Sequence, residues 1–379
     1  MVPVCIYRAL ASAGKMWYSF SQVVIQMINI ADIDPNFKVE TKIDRQNITF
    51  HDVKQLPFEI YGVFYENGKF RRLPEAVAKT VSDSVYKLHS HTAGGRVRFK
   101  TDSSRIAIHV DMPSVRKMSH FPLTGSVGLD MYIRDGGEER FEKTFVPPFD
   151  VVNGFESLHE FALPKLREIT INLPLYSEVA NLYIGIDKDA KLYPPEPYAN
   201  EKPIVYYGSS ITQGGCASRP GNSYESIVAR RLNVDYINLG FSGSAKAEPE
   251  IAAYIRDLPM SVFVYDYDHN AKTVDYLRQT HETMFQTIRR ANPELPIVIM
   301  SRPKYTLSPS EEERLEVIRA TYENAKSQGD KHVYLIDGKT LMGLAGNDGT
   351  VDNAHPNDFG FASMAKAVGD VLAQILHVQ

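Results

Sequence analysis

From about Asn47 to Tyr198, apolar and polar residues largely alternate with a period of two. Arg96-Val-Arg-Phe-Lys100, Arg105-Ile-Ala-Ile-His-Val110, Gly128-Leu-Asp-Met-Tyr-Ile133, Glu168-Ile-Thr-Ile-Asn-Leu173 and Val179-Ala-Asn-Leu-Tyr-Ile-Gly-Ile186 carry the pattern. Successive side chains of a strand point to opposite faces, so each run has one apolar and one polar face. Gly94-Gly95, Asp102-Ser103-Ser104, Asp135-Gly136-Gly137 and Leu163-Pro164 separate the runs. Short alternating strands divided by such turn residues predict an antiparallel sandwich or jelly roll. This half contains no long helical pattern, fixed-period repeat or low-complexity tract.

Tyr193-Pro-Pro-Glu-Pro-Tyr198 then reads as a stiff connector, because proline suits neither helix nor central strand. Beyond it the pattern alternates between short apolar runs and segments of helical period. Predicted strands are Ile204–Tyr207, Asp235–Leu239, Ser261–Tyr265, Pro296–Met300 and His332–Ile336. Predicted helices are Ser223–Leu232, with Ser223 as its cap, Pro249–Arg256, Thr273–Ala291, Glu311–Lys326 and Phe359–Leu376. Five βα units imply a parallel sheet with helices on both faces. The expected organisation is an N-terminal extension over 1–46, a β-sandwich over 47–195 and an α/β domain over 196–379.

The chain has 379 residues, which suits more than one core. A charged content of 23% and hydrophobic content of 43% describe a soluble globular protein. The net charge of -4 gives no basic excess and argues against a nucleic-acid partner. Cys5 and Cys216 lie far apart and do not form a disulfide framework, as expected of a reducing compartment. Cys216, six residues after Ser210, reads as a small packing residue sooner than as a residue bordering the site. Arg8 breaks the apolar start of the chain, so residues 1–30 read as a leader or amphipathic extension, and a cytoplasmic location is expected. Val23–Ile30 is too short to cross a bilayer, and no other segment is a membrane candidate.

Four short blocks fall at or just past predicted strand ends: Gly208-Ser-Ser-Ile-Thr-Gln-Gly214, Asn238-Leu-Gly-Phe-Ser-Gly243, Asp266-Tyr-Asp-His-Asn270 and Asp352-Asn-Ala-His-Pro356. That edge of an α/β sheet is where sites are built. Taken singly, a serine after glycine is turn chemistry, Asn270 a helix cap, and His355 a structural histidine. Together they supply the parts of acyl transfer: a nucleophile, a base, an orienter and oxyanion donors. Ser210 takes the first role, His355 the second and Asp352 the third. The Ser210 and Gly243 backbone N–H groups and the Asn270 amide form the oxyanion hole.

In these blocks the sequence resembles the SGNH, or GDSL-type, hydrolases, named for a serine, glycine, asparagine and histidine in this order. The family's four residues fall on Ser210, Gly243, Asn270 and His355, and Asp352 stands where its Asp-x-x-His aspartate stands. Ser209 replaces the usual aspartate of Gly-Asp-Ser. Asp266-Tyr-Asp-His-Asn270 replaces the usual Gly-x-Asn-Asp. The resemblance covers about residues 203–377 and implies a flavodoxin-like three-layer α/β/α hydrolase. The preceding region looks like the β-sandwich found before this domain in some bacterial members linked to carbohydrate esters.

The expected function is hydrolysis of a small acyl ester, acetyl first, on a carbohydrate, without cofactor or metal. Lipase or thioesterase activity, or carbohydrate binding on an inactive scaffold, are the alternatives. The Asp266-Tyr-Asp268 pair lacks the further oxygen ligands a hard cation needs, so Asp266 is expected to brace the loop of Asn270. Ser209, Arg219 and His269 are expected around the substrate pocket. His89-Ser-His91 reads as part of a polar surface loop sooner than as a metal pair, with a loop at the rim of the catalytic pocket as the alternative. The rate should rise with pH as His355 loses its proton.

Overall fold

The structure is a computed structural model that describes residues 33–35, 38–39 and 43–378. The extension expected over 1–46 therefore lies almost wholly outside the described residues, as does Cys5. The chain divides into residues 1–38 and residues 39–379, and the second unit is described here.

Its first part contains β1 (Ile48–Asp52), β2 (Glu59–Tyr61), β3 (Phe64–Glu66), β4 (Lys69–Arg71), β5 (Arg96–Thr101) and β6 (Arg105–Asp111). β7 (Leu129–Asp135), β8 (Glu138–Phe145), β9 (Gly154–Glu160), β10 (Arg167–Asn172), β11 (Asn181–Asp187) and β12 (Leu192–Tyr193) follow. One antiparallel sheet has the order β1-β11-β6-β9. The other has the order β12-β5-β10-β7-β8, with β2 also on β5. Val97, Phe99, Ile106, Ile108, Ile169, Ile171, Leu182 and Ile184 close the space between them. This is the sandwich predicted from the alternation. The short helices α1 (Glu75–Val81), α2 (Asp83–Leu88) and α3 (Leu123–Ser126) interrupt it. None exceeds two turns, so none leaves a periodic signal in the sequence.

The second part is a parallel sheet of β13 (Ile204–Gly208), β14 (Tyr236–Gly240), β15 (Val262–Asp266), β16 (Ile297–Met300) and β17 (Val333–Ile336). Its order is β14-β13-β15-β16-β17. Six helices surround it: α4 (Tyr224–Leu232), α5 (Pro249–Arg256), α6 (Val274–Ala291), α7 (Pro309–Ser327), α8 (Gly338–Leu341) and α9 (Asp358–Leu376). β13 is buried throughout. Ile204 and Tyr206 join the core under α4 and α9, and Val205 and Tyr207 join the core under α5, α6 and α7. This is the three-layer arrangement, with β13 beside the point where strand order reverses. At 19 residues and a mean hydropathy of 1.3, α9 is long and apolar enough to cross a membrane, contrary to the expectation of no such segment. Phe361, Met364, Val368 and Leu372 of α9 are nevertheless spent on the core.

The two parts share their cores. Leu73, Ala78 and Val85, from the α1–α2 region, belong to the α5–α7 core, while Ala93, Phe121, Leu175 and Tyr176 belong to the α4–α9 core. The polar face of the larger sandwich sheet is also covered. Arg96, Arg98, Asp130, Tyr132, Thr170 and Asn172 lie on that face and are buried. Its residues meet the start, side and end of α4: Gly221 N–H donates to Asp130 over 2.8 Å, Arg230 stacks on Tyr132, and Arg134 donates to Asn233 over 2.6 Å. The proline-rich connector is pinned to the same sheet, with Arg96 Nε donating to Tyr198 Oη over 3.1 Å and Arg98 stacked on the Tyr198 ring.

Candidate active site

β13 ends at Gly208, and the chain turns at once. A Cβ on Gly208 would collide with the Asp266 carbonyl and the Thr212 hydroxyl, so only glycine permits this close crossing of β15. Ser209 N–H donates to Asp266 O over 3.0 Å, and Phe241 N–H donates to Gly208 O over 2.8 Å. Gly215 N–H closes the turn on Ser210 O over 2.8 Å. Ser210 is thereby presented at the carboxyl edge of the sheet.

His355 reaches it from the loop before α9. Ser210 Oγ lies 2.9 Å from His355 Nε2. On the other side of the ring, His355 Nδ1 lies 2.8 Å from Asp352 Oδ2. The same carboxylate accepts the backbone N–H groups of His355 at 2.8 Å and Ala354 at 3.1 Å, so one side chain fixes both loop and ring. Partial burial works against the Asp352 charge, but these donors outweigh it and hold the carboxyl down at about 2. An ionised Asp352 on Nδ1 selects the tautomer whose Nε2 is free to accept the serine proton.

The residues expected to supply oxyanion donors are Ser210 itself and two on the loops that follow β14 and β15, the strands on either side of β13. Among the described residues, neither Ser210 N–H nor Gly243 N–H has a hydrogen-bond partner. Gly243 has a φ of +67°, and a Cβ there would meet only open space; backbone conformation, and not crowding, selects glycine. Asn270 ends a short 3-10 turn after β15, and its Oδ1 accepts Ala245 N–H over 3.1 Å. That bond assigns the amide orientation and leaves Nδ2 as a free donor.

Two family descriptions match the chain. The "GDSL-like Lipase/Acylhydrolase family" covers residues 201–373 and the "N-terminus of Esterase_SGNH_hydro-type", called GxDLY, covers residues 48–192. The chain belongs to the GDSL-like, or SGNH, acylhydrolases, a family of carboxylic ester hydrolases. It is similar to a crystallised protein of Bacteroides ovatus described as a GDSL-like lipase, at 29% identity and a TM-score of 0.79, over 88% of this chain and 99% of the other. A family two carbohydrate esterase of Clostridium thermocellum, solved in complex with cellohexaose, matches at 14% identity and a TM-score of 0.57, covering 84% and 99%. An acetyl xylan esterase of Butyrivibrio proteoclasticus matches at 13% and 0.54, covering 87% and 99%. These last two share the fold. No curated protein sequence matches.

Within this SGNH site the structure brings together Ser210, His355 and Asp352, sets Gly243 and Asn270 on the loops after the neighbouring strands β14 and β15, keeps His269 within electrostatic reach of His355, and sends Ser209 and Arg219 elsewhere. Ser209 is fully buried, and its Oγ accepts Ile211 N–H over 3.1 Å, so it stiffens the nucleophile turn and lines no pocket. Arg219 turns away to the sandwich, where it pairs with Asp130 at 3.0 Å and Tyr132 and stacks on Phe141. His269 follows Asp268 in the turn of Asn270. Burial lowers its pKa to about 4, so it is neutral, and its Nε2 has no partner. The brace for this turn is Asp268 and not Asp266. Burial opposes its charge, yet Arg302 and Arg314 hold its carboxyl at about 2 through bonds of 2.6–3.1 Å. Asp266 is buried without a hydrogen-bond partner, and burial, reinforced by Asp268, pushes it up to about 8. Ser223 occupies the cap position of α4 but makes no side-chain cap; its Oγ donates to Ser226 instead.

The sequence reading missed how several other residues support the site. His89 and His91, expected on a surface loop, are buried. His89 bonds to Arg71 and to the Tyr86 carbonyl. Burial drives the His91 pKa down to about 3, so its neutral Nδ1 accepts from Gln213 Nε2 over 3.1 Å. Gln213 Nε2 also donates to Leu175 O, while its Oε1 accepts Ser242 N–H over 3.0 Å, next to Gly243. Tyr176 Oη donates to Ser210 O over 3.2 Å. Gly128-Leu-Asp130-Met-Tyr132 spells the pattern of the name GxDLY except at its fourth position, where Met131 replaces leucine, and Asp130 and Tyr132 hold the Arg219–Gly221 loop. For Asp130 the sequence signal is a polar residue inside an alternating strand; His89, His91, Gln213 and Tyr176 lie outside the strands and carry none.

Proposed function

We propose that this SGNH protein is a serine esterase that removes a small acyl group, acetyl first, from a carbohydrate through a covalent acyl-enzyme. The observation that carries the reading is the unbroken line from Ser210 Oγ to His355 Nε2 at 2.9 Å and from His355 Nδ1 to Asp352 at 2.8 Å. His355 takes the Ser210 proton as Oγ forms a bond to the ester carbonyl carbon. The carbonyl oxygen takes the negative charge and meets Ser210 N–H, Gly243 N–H and Asn270 Nδ2. Collapse of this intermediate expels the alcohol, which receives the proton from His355. Water then attacks the acyl-Ser210 ester, gives its proton to His355, and the acid leaves as Ser210 is reprotonated.

The Cys216 thiol does not compete as nucleophile. Burial, with the nearby Asp352 charge, pushes its pKa up to about 12. The carbohydrate assignment is supported by the esterase neighbours named above and by the sandwich ahead of the catalytic layer. Hydrolysis of p-nitrophenyl esters of increasing acyl length, with wild type and Ser210→Ala in parallel, tests the reading. Release that is fastest with acetate and lost in the variant is expected, followed by release of acetate from acetylated oligosaccharides. A preference for long acyl chains would replace the carbohydrate reading with lipase or thioesterase activity. Full activity of Ser210→Ala would remove the mechanism.

A further inference from the structure

His120, Cys216 and His355 come from three separate segments: a sandwich loop before α3, the loop after the nucleophile turn, and the loop before α9. One donor atom of each lies within 4.8 Å of the other two. The His120 and His355 rings are 5.7 Å apart. His355 Nδ1 is committed to Asp352, so the nitrogen it offers is Nε2. The exposed His120 and the buried Cys216 Sγ have no hydrogen-bond partner among the described residues. Cys216 also sits at φ +78°, in the left-handed region, directly after Gly214 and Gly215. Glycine, and after it asparagine, suits that conformation best, yet the position carries a thiol and places it beside the base.

We propose that these three residues form a site for a soft divalent cation, Zn²⁺ in the first place, and that the bound ion switches the esterase off. The switch rests on the reading of Ser210 and His355 as the hydrolytic pair; the metal site does not. Two imidazole nitrogens and a thiolate are ligands that Zn²⁺ takes in tetrahedral geometry, at about 2.0–2.1 Å for nitrogen and 2.3 Å for sulfur. Those bond lengths set the donors about 3.4–3.6 Å apart, a contraction that the exposed His120 supplies by moving inward. Water fills the fourth position. The Cys216 thiol proton passes to solvent when the metal binds. Asp352 on the far nitrogen of His355 is the carboxylate partner that metal-bound imidazoles commonly have. Mg²⁺ and Ca²⁺ require oxygen ligands and find none in this set. With Nε2 coordinated, His355 no longer accepts the Ser210 proton.

The test uses the full chain, titrated with Zn²⁺ against a chromophoric chelator and separately with Co²⁺, as wild type, Cys216→Ser, His120→Ala and Ser210→Ala. Wild type and Ser210→Ala should bind one Zn²⁺ with similar affinity, and the other two variants should bind about tenfold more weakly or worse. Co²⁺ should give thiolate charge-transfer absorption in wild type and lose it in Cys216→Ser. Ester hydrolysis by wild type should fall as the site fills and return on adding EDTA. Equal Zn²⁺ affinity in wild type, Cys216→Ser and His120→Ala overturns the site. His120→Ala, on an exposed loop, keeps that comparison valid if Cys216→Ser fails to fold. Turnover unaffected by stoichiometric Zn²⁺ overturns the switch. Zn²⁺ binding by a metal-free protein that hydrolyses no ester upholds the site and overturns the hydrolytic reading.

Discussion

Asn270 illustrates how a site residue depends on what holds it. Its carbonyl oxygen is taken by Ala245 N–H and its turn is anchored through Asp268 on Arg302 and Arg314, so the amide nitrogen has one orientation left. Asn270→Ala should lower kcat by about 10²–10³-fold with little change in KM, the loss expected for one oxyanion donor; steady-state kinetics on p-nitrophenyl acetate measure this. Asp352→Asn should lower kcat by up to about 10⁴-fold, because the amide no longer selects the tautomer with a free Nε2. Asp266 makes a separate claim about stability. Its carboxyl rises from 3.8 to about 8 in the fold, so from about pH 4 to 8 the folded chain keeps a proton that the unfolded chain has lost. This group's contribution therefore falls as pH rises through that window and is level above it. Asp266→Asn should be more stable than wild type at pH 8, with a smaller loss between pH 5 and 8 in urea melts. An unchanged slope would contradict the assignment.

At the level of elements, β5, β6, β7, β10 and β11 of the sandwich and all five strands of the parallel sheet were legible because each obeys a local rule: alternation of apolar and polar residues in the first, and a short apolar run in the second. The nucleophile turn was legible from its order of residues. The α1–α2 segment was not, because helices of under two turns carry no period. The destinations of Ser209, Arg219 and His91 were hidden for another reason. Their partners lie at Ile211, Asp130 and Gln213, and only the first is near in sequence. A polar residue in an alternating strand normally means solvent; here that face covers α4, and nothing local marks the difference. The chain from His91 through Gln213 to Ser242 N–H carries an expectation of its own. His91→Leu frees Gln213 on one side and loosens the backbone that aims Gly243 N–H. It should lower kcat by about 10–100-fold while acyl-length preference stays as in wild type.

For the whole unit, residues from the sandwich complete both hydrolase cores. Arg72 runs through the seam: fully buried, it donates to the carbonyls of Leu88, His91, Asn238 and Gly240 over 2.6–3.0 Å. Arg72→Met would remove these four bonds from the buried seam and should cost about 3–5 kcal/mol, well above the effect of an exposed substitution. Residues 39–379 should also unfold in one calorimetric transition. Two resolved transitions, one for each sheet system, would contradict the shared cores. The same seam limits recombination. A chimaera cut at the proline-rich connector would separate Leu73, Ala78 and Val85 from α5–α7, and Ala93, Phe121 and Tyr176 from α4 and α9. Exchange of sandwiches between relatives will therefore succeed only when these contact residues travel with the catalytic half, and the fusion points that preserve function lie inside the sandwich sequence instead of at its end.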